Sequence, residues 1–360
     1  MCKHAWNLEG LEKLICELVA IESVNPDLVP GGAGEGAIAS FVAAWLREAG
    51  LEVTIVEPVP GRPSVVGVLR GSGGGRSLML NAHMDTVGAG GMDAPFSPAV
   101  RAGRVHGRGA YDMKASLAAI MLTARSARDM PLKGDLLITA VADEEVASLG
   151  TSAVLEKFHA DACIVTEPTE LRLCVAHKGF VWLEVETTGV AAHGSRADIG
   201  VDAIANMGHV LSGVLELNDR LRSGPGHPLL GTGSIHASLI EGGQEMSTYP
   251  ARCVAKLERR TIPGEDGTDF PNARVLLERP PSELPAGHPV SKVVAEAAGD
   301  PDVIGVAYWM DMALTNGAGI PTVAYGPAGE GEHADVEWVD LASVEKCVSV
   351  YIRTAELLCS

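Results

Sequence analysis

The 360-residue chain contains no apolar run near the roughly 18 to 20 residues that cross a bilayer, and its opening stretch, MCKHAWNLEG, has no apolar signal-peptide region. A cytoplasmic protein is expected. Positive charge is in short supply: 28 Lys and Arg stand against 46 Asp and Glu, a formal charge of -18. That is the wrong sign for gripping phosphates or an anionic membrane, so neither nucleic acid nor a lipid surface is an expected partner. There is no C-x-x-C pair. Seven scattered cysteines, Cys2, Cys16, Cys163, Cys174, Cys253, Cys347 and Cys359, read as reduced thiols, several of them packed in apolar runs. A G-x-S-x-G nucleophile motif is absent as well, and GSGGG at 71–75 lacks the Lys-Ser/Thr of a P-loop. Its glycines suit a hairpin turn between the strands on either side.

What the chain does hold is a core. Hydrophobic residues make up 46% and charged residues 21%, and 360 residues exceed the usual single core of about 250, so two domains are expected. Apolar residues recur at helical spacing from Leu8 to Ile21 and from Ile38 to Leu46. Strand patterns LEVTIVE, SVVGVLR, SLMLNA, DLLITAVA and DACIVTE then alternate with helical ones, which argues for a mostly parallel mixed sheet with helices on both faces, an α/β fold. Near His177 the texture changes: a one-sided strand, a long amphipathic helix at 201–221 and further long strands suggest a separate small α+β sheet domain. The pattern of the first part returns after RPPSELPAGHP. A catalytic domain of residues 1–176 and 286–360, interrupted by an inserted lid of 177–285, follows.

Ligands of parallel α/β sheets bind beyond the carboxyl ends of the strands, so the residues at those ends carry the chemistry. SLMLNA stops at His83-Met84-Asp85, LLITAVA at Asp143-Glu144-Glu145, ACIVT at Glu167, and TVAYG leads to Glu332-His333; Asp112 stands just before a helix. His83 and Asp85, two apart, share one side of an extended chain, where the carboxylate can orient the imidazole. Glu144 and Glu145 point apart, so one can bind metal while the other handles protons. Two histidines with three carboxylates suit Zn²⁺ or Co²⁺ better than Mg²⁺ or Ca²⁺. If Asp112 is shared, two dications at +4 balance three carboxylates and a bridging hydroxide.

At these residues the chain resembles the zinc-dependent acetylornithine deacetylase, succinyl-diaminopimelate desuccinylase and aminoacylase family of peptidase clan MH. NAHMDT, GRGAYDMK, ADEE, TEPT and GPAGEGEH resemble its metal and base motifs in order and spacing, over nearly the whole chain. The resemblance implies that His83, Asp112, Glu145, Glu167 and His333 hold two divalent ions, that Asp85 orients His83, that Glu144 is general base and acid, and that the peptide after Asp112 is cis. It also implies a homodimer formed through the lid, with His193 of AAHGS reaching the partner subunit's site and Arg260 of LERRTIPGE holding the substrate carboxylate. Three departures bear on substrate. Ser247 stands where many relatives have an Asn, Tyr308 and Trp309 where some have small residues, and PGEDGTDFPNA replaces a full lid helix. The expected reaction is hydrolysis of an N-acyl amino acid by a metal-bridged hydroxide. A dipeptidase or carboxypeptidase shares that chemistry; a noncatalytic metal-binding scaffold is the reading from another class, and a retained base, Glu144, weighs against it.

Overall fold

A computed structural model describes residues 7–360; Cys2 and the other residues of the opening segment lie outside the described ones. The chain divides into two compact units, one comprising the chain up to Val175 with Leu284–Ile304 and Met310–Ser360, the other Ala176–Glu283 with Gly305–Trp309. Tyr308 and Trp309 thus belong to the second unit.

The first unit is built on a mixed, mainly parallel sheet. Strands Leu136–Val141, Leu78–His83, Ala162–Val165 and Thr322–Ala324 lie side by side and parallel. At one edge Ser64–Leu69 and then Glu52–Val56 add antiparallel, and at the other Leu173–His177 does the same. Alternation sorts the central side chains. Leu78, Leu80, Leu136, Ile138, Ala162 and Ile164 join one core cluster with residues of the helices Leu8–Val19, Gly36–Glu48, Ala115–Ala127, Pro289–Ala298 and Leu341–Leu358. The short helices Leu149–Leu155 and Met312–Gly317 pack against the sheet outside that cluster. Helices therefore cover both faces, the burial a parallel sheet requires. Ala115–Ala127 is the most enclosed helix: all residues from Ala115 to Ala124 are buried, and its small side chains let it lie close to the strands.

The segment GSGGG is not a hairpin turn. Ser64–Leu69 and Leu78–His83 are not neighbours, because Leu136–Val141 lies between them. The loop crosses the start of that strand instead: the N–H groups of Ser72 and Gly73 donate to the carbonyls of Leu132 and Lys133 at 2.9 and 2.8 Å. Glycine is needed here for close approach, since a Cβ on Gly71 or Gly75 would run into the backbone of Lys133 or Gly134.

A second, small antiparallel sheet of the same unit pairs Gly329–Glu330, Trp338–Asp340, Arg104–His106 and Ala99–Arg101 in that order. It joins two segments far apart in sequence that both bear on the functional site.

The other unit is a four-stranded antiparallel sheet in the order Ser234–Gly242, Arg252–Thr261, Gly179–Thr188, Arg274–Arg279. Its helix Ala203–Ser223, capped by the Asp202 side chain, packs Met207 and Val214 onto Val181, Leu183, Val185 and Leu257. Residues 263–273 form turns and no helix.

Candidate metal centre

Because the four central strands are parallel, their carboxyl ends share one edge of the sheet, and the acidic and imidazole side chains that follow them converge there. His83 ends its strand almost fully buried, with Nε2 3.0 Å from Asp112 Oδ1 and 3.6 Å from Glu167 Oε1. The other oxygen of Asp112 faces a second histidine: His333 Nε2 is 3.4 Å from Asp112 Oδ2 and 3.1 Å from Glu145 Oε2. Asp112 therefore presents one oxygen to each side. Two sets of three donor atoms lie within 4.8 Å of one another, His83 with Glu144 and Glu167, and His83 with Asp112 and Glu145. The Asp112–Met113 peptide is cis.

Several buried groups hold these side chains. The His83 ring bonds through Nδ1 to the main-chain carbonyl of Asp85 at 2.9 Å, whereas the Asp85 carboxylate stands 3.7 Å from that nitrogen. The carboxylate has other work: it accepts the N–H groups of Glu144 and Glu145 at 3.1 and 3.2 Å and the Asn25 amide at 2.8 Å. Asp85 thus ties the histidine strand to the Glu pair through both its carbonyl and its carboxylate, a different arrangement from the carboxylate-to-imidazole bond expected from H-x-D spacing. Asn25 also donates to Asp143, whose left-handed backbone (φ 69°) turns the chain into Glu144. Arg62 closes the network, bonding Glu35 through Nε and Nη2 at 2.7 and 2.8 Å and Asp143 at 2.8 Å. Nothing in the sequence singles out Arg62, Glu35 or Asn25, because a buried ion pair depends on which distant segments meet.

The electrostatics of the cluster are those of acids crowded out of water. Burial pushes Glu144 well above the usual carboxylate range and the Glu167 charge adds to it; burial and then Asp112 raise Glu145. Glu167 is raised by burial against the pull of His83. Burial opposes ionisation of Asp112 too, but hydrogen bonds with His333 and His83 hold it well below the usual range. His333 is pushed up to about 10, first by its bond to Asp112 and then by Glu145. Glu145 Oε1 is buried with no hydrogen-bond partner. Converging carboxylates, two imidazoles and an orphaned buried oxygen fit divalent cations, which would satisfy the lone pairs and relieve the repulsion together.

In the second unit, His193 is exposed, its Nδ1 2.9 Å from Ser195 Oγ. Ser247, at φ 62°, accepts the Gly194 N–H on its carbonyl at 2.6 Å. Arg260 lies over the Phe180 ring and donates to Glu258 at 2.7 Å. Trp309 packs edge-on against His177 and Phe180 and donates to the Pro280 carbonyl at 3.1 Å, and Tyr308 is exposed.

The chain matches the model of peptidase family M20/M25/M40 over residues 79–357, and it belongs to that family of metal-dependent hydrolases. Acetylornithine deacetylase of Vibrio atlanticus (strain LGP32) is 30% identical over 262 residues, covering 70% of this chain and 68% of that protein. N-formyl-4-amino-5-aminomethyl-2-methylpyrimidine deformylase of Bacillus subtilis (strain 168) is 29% identical over 279 residues, covering 71% of this chain and 64% of that protein. A dinuclear metal-binding peptidase of the M20 family from Bacillus subtilis has the same fold, with a TM-score of 0.71 at 16% identity over 98% of each chain. Deacylases and peptidases are both among the similar proteins. Among the described residues no helix is long and apolar enough to cross a membrane, and six described cysteines are free thiols.

Proposed function

We propose that the protein hydrolyses the amide bond of an N-acyl amino acid in the cytoplasm, as a homodimer loaded with two divalent ions, Zn²⁺ by preference and Co²⁺ as a substitute. The observation that carries this reading is the placement of Glu144: its backbone is tied to Asp85 beside the donors, while Asp112 turns one oxygen to His83 and the other to His333. His83, Asp112, Glu145, Glu167 and His333 would hold the ions, and likeness to the dinuclear Bacillus subtilis peptidase supports a pair. When bound, the ions supply Lewis acidity toward the scissile carbonyl and make water a stronger acid. Glu144 accepts the proton of the attacking water and returns it to the departing amine. Asp85 fixes both the His83 ring and the Glu pair. His193, delivered from a second copy of the chain, donates to the carbonyl oxygen, and Arg260 leaves Glu258 to grip the substrate carboxylate in two parallel bonds. Ser247, Tyr308 and Trp309 contact the remainder of the substrate.

Likeness to a peptidase favours a second reading, a dipeptidase or carboxypeptidase using the same residues. The pair is separated by turnover of N-acetyl, N-succinyl and N-formyl amino acids beside dipeptides, with Zn²⁺ or Co²⁺ added. Chelation is expected to abolish activity. Glu144→Gln is expected to lose about 10² to 10⁴ in rate while metal analysis finds the wild-type content. Rates within a few fold of wild type would reject the role given to Glu144, and no transition metal in active protein would reject the whole reading.

A further inference from the structure

One buried ion pair touches the backbone around two of the proposed ligands at once. Glu337 is 1% exposed, and its carboxylate is filled on both oxygens. Oε1 accepts the N–H groups of Tyr111 and Asp112 at 2.8 and 3.0 Å; Oε2 accepts the Gly109 N–H at 2.9 Å and Arg108 Nη1 at 2.7 Å. Three main-chain donors of the turn that delivers Asp112 thus end on a single side chain. Arg108 is equally buried, at 1%, and spends its other two donor groups on loops: Nη2 on the carbonyl of Ala334 at 2.8 Å and Nε on that of Gly88 at 3.0 Å. Ala334 follows His333, whose own backbone is left-handed at φ 60° and whose side chain is about half exposed.

The two residues are 229 apart in sequence, and the small sheet brings them together by pairing His106 with Trp338. A loop histidine with so little packing of its own has its position set by what its main chain is bound to.

We propose that the Arg108–Glu337 pair is the positioning device that sets the spacing between Asp112 and His333, and that it governs metal affinity without touching a metal. The inference rests on the reading of Asp112 and His333 as metal ligands. Geometry explains the choice of residues. A guanidinium can reach Glu337, Ala334 and Gly88 together with a planar fork, which a lysine ammonium cannot do. A carboxylate can accept from four donors, whereas an amide turns an NH₂ toward two of them.

The test is a Co²⁺ titration of the metal-free protein, read by visible absorption, beside thermal unfolding of the same metal-free samples. Glu337→Gln and Arg108→Lys are each expected to weaken metal binding about 10- to 100-fold, with the metal-free protein still folding cooperatively. Arg108→Lys leaves the Glu337 carboxylate and its three N–H bonds in place, so it decides the matter if Glu337→Gln does not fold. Wild-type affinity in a folded variant would overturn the proposal. So would failure of both variants to fold, which would make the pair a support of the fold and not of the site. A wild-type protein that takes up no Co²⁺ or Zn²⁺ would overturn the ligand assignment itself, an outcome distinct from both.

Discussion

His177 illustrates how one buried ring makes stability depend on pH. Burial pulls its pKa down to about 4, its Nδ1 bonds the Lys178 carbonyl at 2.9 Å, and its Nε2 has no partner. In the unfolded chain an imidazole titrates near 6.5. The folded form therefore refuses a proton that the unfolded form accepts, and the stability present above pH 6.5 is lost as pH falls toward 4. The full effect is about 3 kcal/mol. Urea unfolding between pH 7 and 4 should show a steeper loss for the wild type than for His177→Phe, which keeps an aromatic ring beside Trp309 and removes the titration. Parallel slopes would exclude His177 as the cause. Arg62 is the opposite case, a buried cation kept charged by Glu35 and Asp143 against the cost of burial. It holds the turn that leads into Glu144.

At the scale of elements, the crossing loop at 71–75 shows where local chemistry misleads. Glycine-rich sequence between two strand patterns reads as a hairpin because turn propensity is local. Which strands pair is settled by a segment some sixty residues away, Leu136–Val141, whose apolar run claims the place between them. Contact between the two crossing backbones leaves no room at Gly134, where a Cβ would strike the Arg76 carbonyl. Gly134→Ala is expected to destabilise the protein by about 1 to 3 kcal/mol, measured by denaturant unfolding, even though alanine is chemically the smallest change available. An unchanged midpoint would mean that the loop can move aside. Strand ends were legible for a related reason: in parallel topology every strand that matters finishes on the same edge, so a His or Glu after an apolar run marks itself. Arg108, Glu337, Arg62 and Asn25 carry no such mark. In the sequence each reads as a side chain in water, until tertiary pairing buries it.

For the whole molecule, the second unit leaves an apolar surface uncovered. One of its two edge strands, Ser234–Gly242, exposes Leu239 at 63% and Ile240 at 55%, and the helix Ala203–Ser223 exposes Leu215 at 68%. An open edge strand with apolar side chains invites pairing with another chain, and a second copy has the same edge to offer. If the proposed homodimer forms through this edge, Leu239→Lys combined with Ile240→Glu is expected to shift sedimentation from dimer to monomer and, where His193 acts across it, to lower turnover by the same step. A wild-type monomer at micromolar concentration would remove the dimer and the shared histidine together.

The strand Thr322–Ala324 lies between Ala162–Val165 and Leu173–His177, two strands made long before it. On a ribosome adding about 5 to 20 residues per second, the residues separating Val165 from Thr322 take roughly 8 to 30 s to emerge. During that interval the edge of Ala162–Val165 that Thr322–Ala324 will pair has no strand to bond to. The second unit, by contrast, is contiguous apart from Gly305–Trp309 and can finish first. On chain order alone, a nascent chain stopped before Thr322 is expected to protect the amides of the inserted unit from hydrogen exchange while leaving that edge of Ala162–Val165 exposed.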